Sequence, residues 1–212
     1  MHRPLAHPSR ELLSAYASGW IPWAADLCVR THLETCAQCG QDLAELETAE
    51  ATFVESLPEA PMAPDALNAL LAKLAETAAE PEPVASTTLG DVPLPASLRH
   101  VAFRPRRWLR PDLWVAHVDA PRREGWRIYL LHAPAGRKLP GHSHRGPELV
   151  CVLTGAFEAD ERYAAGDFVE SPGGSSHTVT VSPEGPCACL IATKGRLATS
   201  GAHRLFSTAL SV

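Results

Sequence analysis

The sequence predicts a two-domain α-plus-β chain, four helices followed by an antiparallel β-barrel. Three observations carry that expectation. Apolar residues recur at helical spacing up to about residue 79, and beyond residue 96 they fall into short β-prone runs. A stretch with Pro81, Pro83, Pro93 and Pro95 separates the two patterns. Each half also carries its own set of metal-ligand residue types, built on helical spacing in one and on strand spacing in the other. At 212 residues the chain can bury a core in each half.

Leu12, Leu13 and Tyr16 mark the first helix, Leu27 and Leu33 the second, and Leu43, Leu46, Phe53, Val54 and Leu57 the third. Leu67, Leu70, Leu71, Leu74 and Ala78 form a stripe on a fourth, which Pro64 can start at its first turn. Breaks are expected near residues 19–22, 36–40 and 58–64. The fourth stripe is either core of the same bundle or an apolar face kept for a partner. The expected domains are residues 1–80 for the helices, 81–95 for a linker with little to bury, 96–195 for the barrel, and 196–212 for a C-terminal tail.

In the second half the β-prone runs are residues 126–131, 149–153, 168–169, 178–181 and 187–191. Pro-Ala-Gly, Ala-Gly-Asp and Ser-Pro-Glu-Gly supply turns between them. Short strands at this spacing imply an antiparallel sandwich or barrel.

Composition sets limits on function. With 45% apolar and 20% charged residues the chain is of ordinary globular type. No run of about 18 uncharged apolar residues occurs, so no membrane partner is expected. The N-terminus lacks a basic-then-apolar signal, which leads to a cytoplasmic expectation with reduced thiols. The six cysteines then read as ligands or free thiols. The net charge of −5 is unevenly spread. Residues 1–80 hold four basic and twelve acidic side chains, a balance of −8, while the remainder holds fifteen and twelve, a balance of +3. Such an acidic half does not bind nucleic acid by neutralising phosphates. It suits a basic partner, or is simply a solvated acidic surface.

The first ligand set is His32-x-x-x-Cys36-x-x-Cys39. On one helix His32 and Cys36 project from the same face, and a Cys-x-x-Cys loop can bring its sulfurs to the same point as that helix ends. Tetrahedral zinc wants a fourth donor, for which His7 is the nearest candidate and His2 the alternative. A bare redox pair is the competing reading, but such a pair belongs at a helix N-terminus in an α/β pattern that is absent here.

The second set is His142-x-His144-x-x-x-Glu148 with His177 farther on. His142 and His144 share a strand face, Glu148 opens the next strand across a turn, and His177 arrives from a distant one. Three imidazoles and a carboxylate accept zinc, manganese, iron, nickel or copper. Cys187 and Cys189 flank one alanine, so they point to one side of a probable strand, either as core thiols or as a redox pair.

These residues carry two resemblances. The pattern His7…His32-x-x-x-Cys36-x-x-Cys39 in an acidic helical module is similar to the zinc-binding anti-sigma domain. The Gly136…His142-x-His144-x-x-x-Glu148…Gly155 and Gly166…Pro172-x-Gly174-x-x-His177 pair resembles the cupin double motif over residues 126–193. It departs at Val181, where the family usually has Asn. Helical module, linker and cupin in this order resemble the ChrR-type anti-sigma factors along nearly the whole chain. That resemblance implies zinc at His7, His32, Cys36 and Cys39. It also implies a divalent metal at His142, His144, Glu148 and His177, zinc first, with manganese or iron as alternatives. The implied partner is a sigma factor of the extracytoplasmic-function type, held by the helices. Release would follow singlet oxygen or organic peroxide stress through the cupin. The resemblance further makes the protein a regulator of transcription that does not bind DNA directly, and points to the Cys187 and Cys189 pair as a possible redox element. The alternative is a dioxygenase-like metal-dependent cupin enzyme with a zinc-stabilised appendage.

Overall fold

The computed structural model describes residues 3–76, 86–120, 125–195 and 197–199. His2, Ala78, residues 81–85 of the expected linker and nearly all of the expected tail lie outside them. The helices are α1 (Arg10–Ala17), α2 (Trp23–Leu33), α3 (Ala37–Glu55) and α4 (Ala66–Glu76). The strands are β1 (Thr88–Leu89), β2 (Val92–Pro93), β3 (Arg107–Arg110), β4 (Leu113–His117), β5 (Trp126–Ala133), β6 (His142–His144), β7 (Glu148–Thr154), β8 (Ala156–Glu158), β9 (Arg162–Ala164), β10 (Phe168–Ser171), β11 (Ser176–His177), β12 (Thr180–Val181), β13 (Cys187–Lys194) and β14 (Leu197–Thr199).

A six-stranded antiparallel sheet ordered β10-β7-β13-β5-β4-β3 forms the backbone of the second half. Two three-stranded sheets, β11-β6-β14 and β12-β8-β9, complete the cupin-like architecture. Both faces of the large sheet are covered. Tyr129, Leu131, Val150, Val152, Cys187, Cys189 and Ile191 point inward, among residues such as Phe157 and Val181 of the small sheets. Ile128, Leu130, Leu149, Cys151, Ala188, Leu190 and Ala192 point outward and share a core with Ala24, Ala25, Leu27, Cys28 and Val29 of α2. This is why β5, β7 and β13 read as nearly continuous apolar runs rather than alternating ones. Small residues on both elements (Ala24, Ala25, Ala188 and Ala192) let α2 approach closely.

Two expectations need correction. The expected linker through Pro95 does not stay free of the core. Residues 86–95 form the β1–β2 hairpin, with Gly90 at φ +66° in its turn and Val92 and Leu94 buried against the outward face. Thr87 and Leu94 close it with a 2.9 Å backbone bond. Apolar residues spaced two apart found a surface to cover, despite the flanking prolines. Secondly, His32 and Cys36 are not on one helix. α2 ends at Leu33, and Cys36 is the N-cap of α3, at φ −116° and ψ 96°.

α4 stands apart from the rest. None of its described side chains is buried, and Leu67, Leu70, Leu71 and Leu74 are among the exposed large apolar residues, together with Phe53 and Val54 at the end of α3 and Leu57 just beyond it. Among the described residues, no helix is long and apolar enough to cross a membrane.

Candidate metal centres

The first centre forms where three segments meet. His32 lies in the last turn of α2, where it is fully buried. Cys36 caps α3, its Sγ accepting from the Cys39 amide at 3.5 Å, so both sulfurs converge at a helix start. His7 comes from the segment before α1. Its Nδ1 is 3.3 Å from Cys36 Sγ and 3.4 Å from Cys39 Sγ, while His32 Nε2 is 3.3 Å from Cys39 Sγ. One donor atom from each of the four residues lies within 4.8 Å of the others. Tetrahedral zinc with ordinary Zn–N and Zn–S lengths sets its N and S donors about 3.5 Å apart. The donor set therefore fits that ion.

The electrostatics agree with the geometry. Burial lowers the His32 pKa, keeping the ring neutral, and the ring's Nδ1–H donates to the Gly166 carbonyl at 2.8 Å. That bond leaves the Nε2 lone pair facing the thiols. Burial, then the neighbouring Cys36 thiol, pushes Cys39 up to about 12 in the absence of a cation. The Cys39 thiol therefore resists ionising unless a positive charge sits beside it.

The second centre lies inside the barrel. His142 and His177 are cross-strand partners in the β6–β11 ladder. Their Nε2 atoms are 3.2 Å apart, and His144 Nε2 is 3.3 Å from His177 Nε2. Glu148 Oε2 lies 3.3 Å from His144 Nε2 and 3.7 Å from His177 Nε2. A tetrahedral ion with three imidazoles needs N···N edges of about 3.3 Å. Three ring nitrogens in this triangle cannot all satisfy one another by hydrogen bonding, whereas a cation satisfies all three. His142 donates through Nδ1 to the Pro140 carbonyl at 2.9 Å, which turns its Nε2 to the centre. Burial raises the Glu148 carboxyl to about 8 and, with His142 and His177 adding, lowers His144 to about 3. The metal-free centre is thus a cluster of neutral donors that a dication can enter while displacing one proton.

A cavity of about 300 Å³ opens beside this centre, walled by Tyr129, Leu131, Val150, Phe157 and Ile191. Val181, the departure from the family pattern, sits in the same wall and is buried. Cys187 and Cys189 line it too, on one side of β13 as expected, with sulfurs 3.7 Å apart. The adjacent Cys187 thiol and burial push Cys189 well above its ordinary value, so it is a protonated thiol at neutral pH. Arg104 pairs with Asp119 at 3.0 Å, and Arg106 lies over the rings of Trp108 and Trp114.

The sequence places Gly166 in the second cupin motif and Asp167 in an Ala-Gly-Asp turn, but nothing local indicates that this turn faces His32 and the segment before α1.

Comparisons with known proteins place these observations. Residues 103–196 match the family model described as the ChrR cupin-like domain. The chain is 31% identical over 195 residues, 90% of each sequence, to the anti-sigma-E factor ChrR of Cereibacter sphaeroides. It also superposes, with a TM-score of 0.71 and 28% identity, on a crystal structure of Rhodobacter sphaeroides SigE in complex with the anti-sigma ChrR. That match covers 90% of this chain and 100% of the other.

Proposed function

The chain belongs to the ChrR family of anti-sigma factors, and from that premise we propose that it sequesters a sigma factor of the extracytoplasmic-function type and releases it under oxidative stress. It is a regulator of transcription rather than an enzyme, which sets aside the dioxygenase-like alternative. One observation carries the sequestering role. The end of α3, the residues just beyond it and all of α4 present Phe53, Val54, Leu57, Leu67, Leu70, Leu71 and Leu74 at 51–66% exposure. An apolar face of this extent, most of it on α4 where no described side chain is buried, fits a partner site. The −8 balance of residues 1–80 suits the basic surfaces of a protein that binds DNA. Such a partner is cytoplasmic, and so is this protein in our reading.

His7, His32, Cys36 and Cys39 hold a structural zinc that fixes the start of α3 relative to α1 and α2. His142, His144, Glu148 and His177 hold a divalent metal, zinc first, with manganese or iron as alternatives. Donor chemistry and spacing support both assignments. When bound, the barrel metal supplies a Lewis-acid position facing an apolar cavity, where a reactive oxygen species or peroxide would act. Release is a population shift, and moving the complex from mostly bound to mostly free needs a differential of about 5 kcal/mol between two states. Loss of a charged ligand at a metal is of sufficient size. The rival trigger is oxidation of Cys36 and Cys39 with loss of zinc. The Cys187 and Cys189 pair is a third candidate, held back by the raised, protonated Cys189 thiol.

The test is co-purification with a sigma factor from the same cell, followed by sigma-dependent transcription under singlet oxygen or organic peroxide. A chain with His142, His144 and Glu148 replaced by Ala is expected to bind sigma but lose induction. Unchanged induction removes the barrel metal from signalling. Helix loss accompanying zinc loss during release would instead favour the thiol trigger.

A further inference from the structure

Residues 4–9, which carry His7, run as a strap across the turn between β9 and β10 of the barrel. Asp167, only 2% exposed, accepts the amides of Leu5 at 2.7 Å and Ala6 at 3.1 Å with one carboxylate oxygen. Its other oxygen accepts the Ala164 amide at 2.7 Å. The Phe168 amide donates to the Ala6 carbonyl at 3.0 Å, and Ser9 donates its amide and hydroxyl to Glu170. Next to Asp167, the Gly166 carbonyl receives Nδ1–H of His32. Gly166 has φ +97°, and a Cβ there would meet Pro4 Cγ at 3.0 Å, so the strap lies as close as glycine permits. Two of the four donors of the helical centre are therefore held by barrel residues that belong to neither donor set.

We infer that the Gly166–Asp167 turn of the barrel is the outer shell of the helical metal centre, with Asp167 as the positioning residue for His7 and the Gly166 carbonyl as that for His32. This rests on the reading that His7, His32, Cys36 and Cys39 hold a metal, and it deepens that reading by assigning its regulation. Outer-shell partners set ring orientation and ligand basicity, and their loss weakens metal binding 10- to 100-fold. The same turn leads directly into β10, whose Ser171 pairs in register with Glu148 of the barrel centre. One strand pair thus links the two centres. A change at Glu148 that shifts β10 also shifts the acceptors holding His7 and His32.

Cobalt(II) gives the test, because only the helical centre has thiolate ligands and hence a thiolate-to-cobalt absorption band. The cobalt-loaded full chain is titrated with EDTA while total cobalt is measured in parallel. Asp167→Asn is expected to lower the cobalt affinity of the thiolate centre 10- to 100-fold, with the barrel cobalt retained. Leu5 is 78% exposed, so Leu5→Pro deletes one donor to Asp167 without altering the barrel, and is expected to act in the same direction. Glu170→Gln, which alters the contact to Ser9 and none to Leu5, Ala6 or His32, is expected to change little. An unshifted thiolate band in both Asp167→Asn and Leu5→Pro overturns the inference. So does loss of both metals together in both variants, which would mean general collapse. A wild-type chain with no thiolate band at all ends the metal reading itself, a result distinct from either.

Discussion

His142 and His177 face each other across the β6–β11 ladder with their Nε2 atoms 3.2 Å apart. Neither ring can satisfy the other and His144 at the same time, so the triangle calls for a cation. We expect purified chain to carry two transition-metal ions and the His177→Ala chain one, by elemental analysis, with the thiolate centre still loaded. Two ions in the variant would separate His177 from the barrel centre.

Glu148 determines the pH dependence of that centre. Its carboxyl is raised by burial to about 8, so a metal must displace its proton at neutral pH. Apparent affinity at the barrel should rise about tenfold per pH unit up to about 8 and then level off. His144, lowered to about 3, has already lost its proton there and adds no slope. For the chelated chain the sign is opposite. A raised folded-state carboxyl contributes stability below its ordinary value near 4.5, and that contribution is lost as pH rises through about 8. Competition titrations and thermal unfolding from pH 5 to 9 check both, and Glu148→Gln should flatten both.

Because α2 shares one core with the outward face of the large sheet, helices α1 to α3 should unfold together with the barrel rather than as a separate unit. Leu190 is fully buried there, so Leu190→Ala should cost about 2–5 kcal/mol and lower a single transition seen by both far-UV dichroism and tryptophan fluorescence. Two well-separated transitions would restore the independent-domain expectation.

Zinc removal should act unevenly. α2 keeps its buried face of Ala24, Ala25, Cys28 and Val29 against the sheet, whereas Cys39 is the only buried residue of α3. Cys36→Ser and Cys39→Ser should therefore expose α1 and α3 to hydrogen exchange while α2 remains protected. Uniform protection in the metal-free chain would deny the zinc its structural role.

Much of the fold was legible because periodicity is local. The α4 stripe and the runs in β5, β7 and β13 each declare themselves within a dozen residues. The donors were legible for a similar reason, since seven of the eight fall within tight motifs or at a motif-fixed offset. The shared core was not legible, because an apolar α2 face looks the same whether it covers another helix or a sheet. Nor was the β1–β2 hairpin, whose prolines suggest a linker until Val92 and Leu94 find a surface to cover. Asp167 reads only as a turn residue because two of its three partners, the Leu5 and Ala6 amides, are more than 160 positions away.

The account is tested most directly by titrating the zinc-loaded full chain with an extracytoplasmic-function-type sigma factor from the same cell, beside a Leu70→Glu, Leu74→Glu chain. Tight 1:1 binding by the first and at least a hundredfold weaker binding by the second is the predicted result, with unfolding midpoints nearly equal because both sites are exposed. Equal affinity for the two chains, or no binding by either, would contradict it.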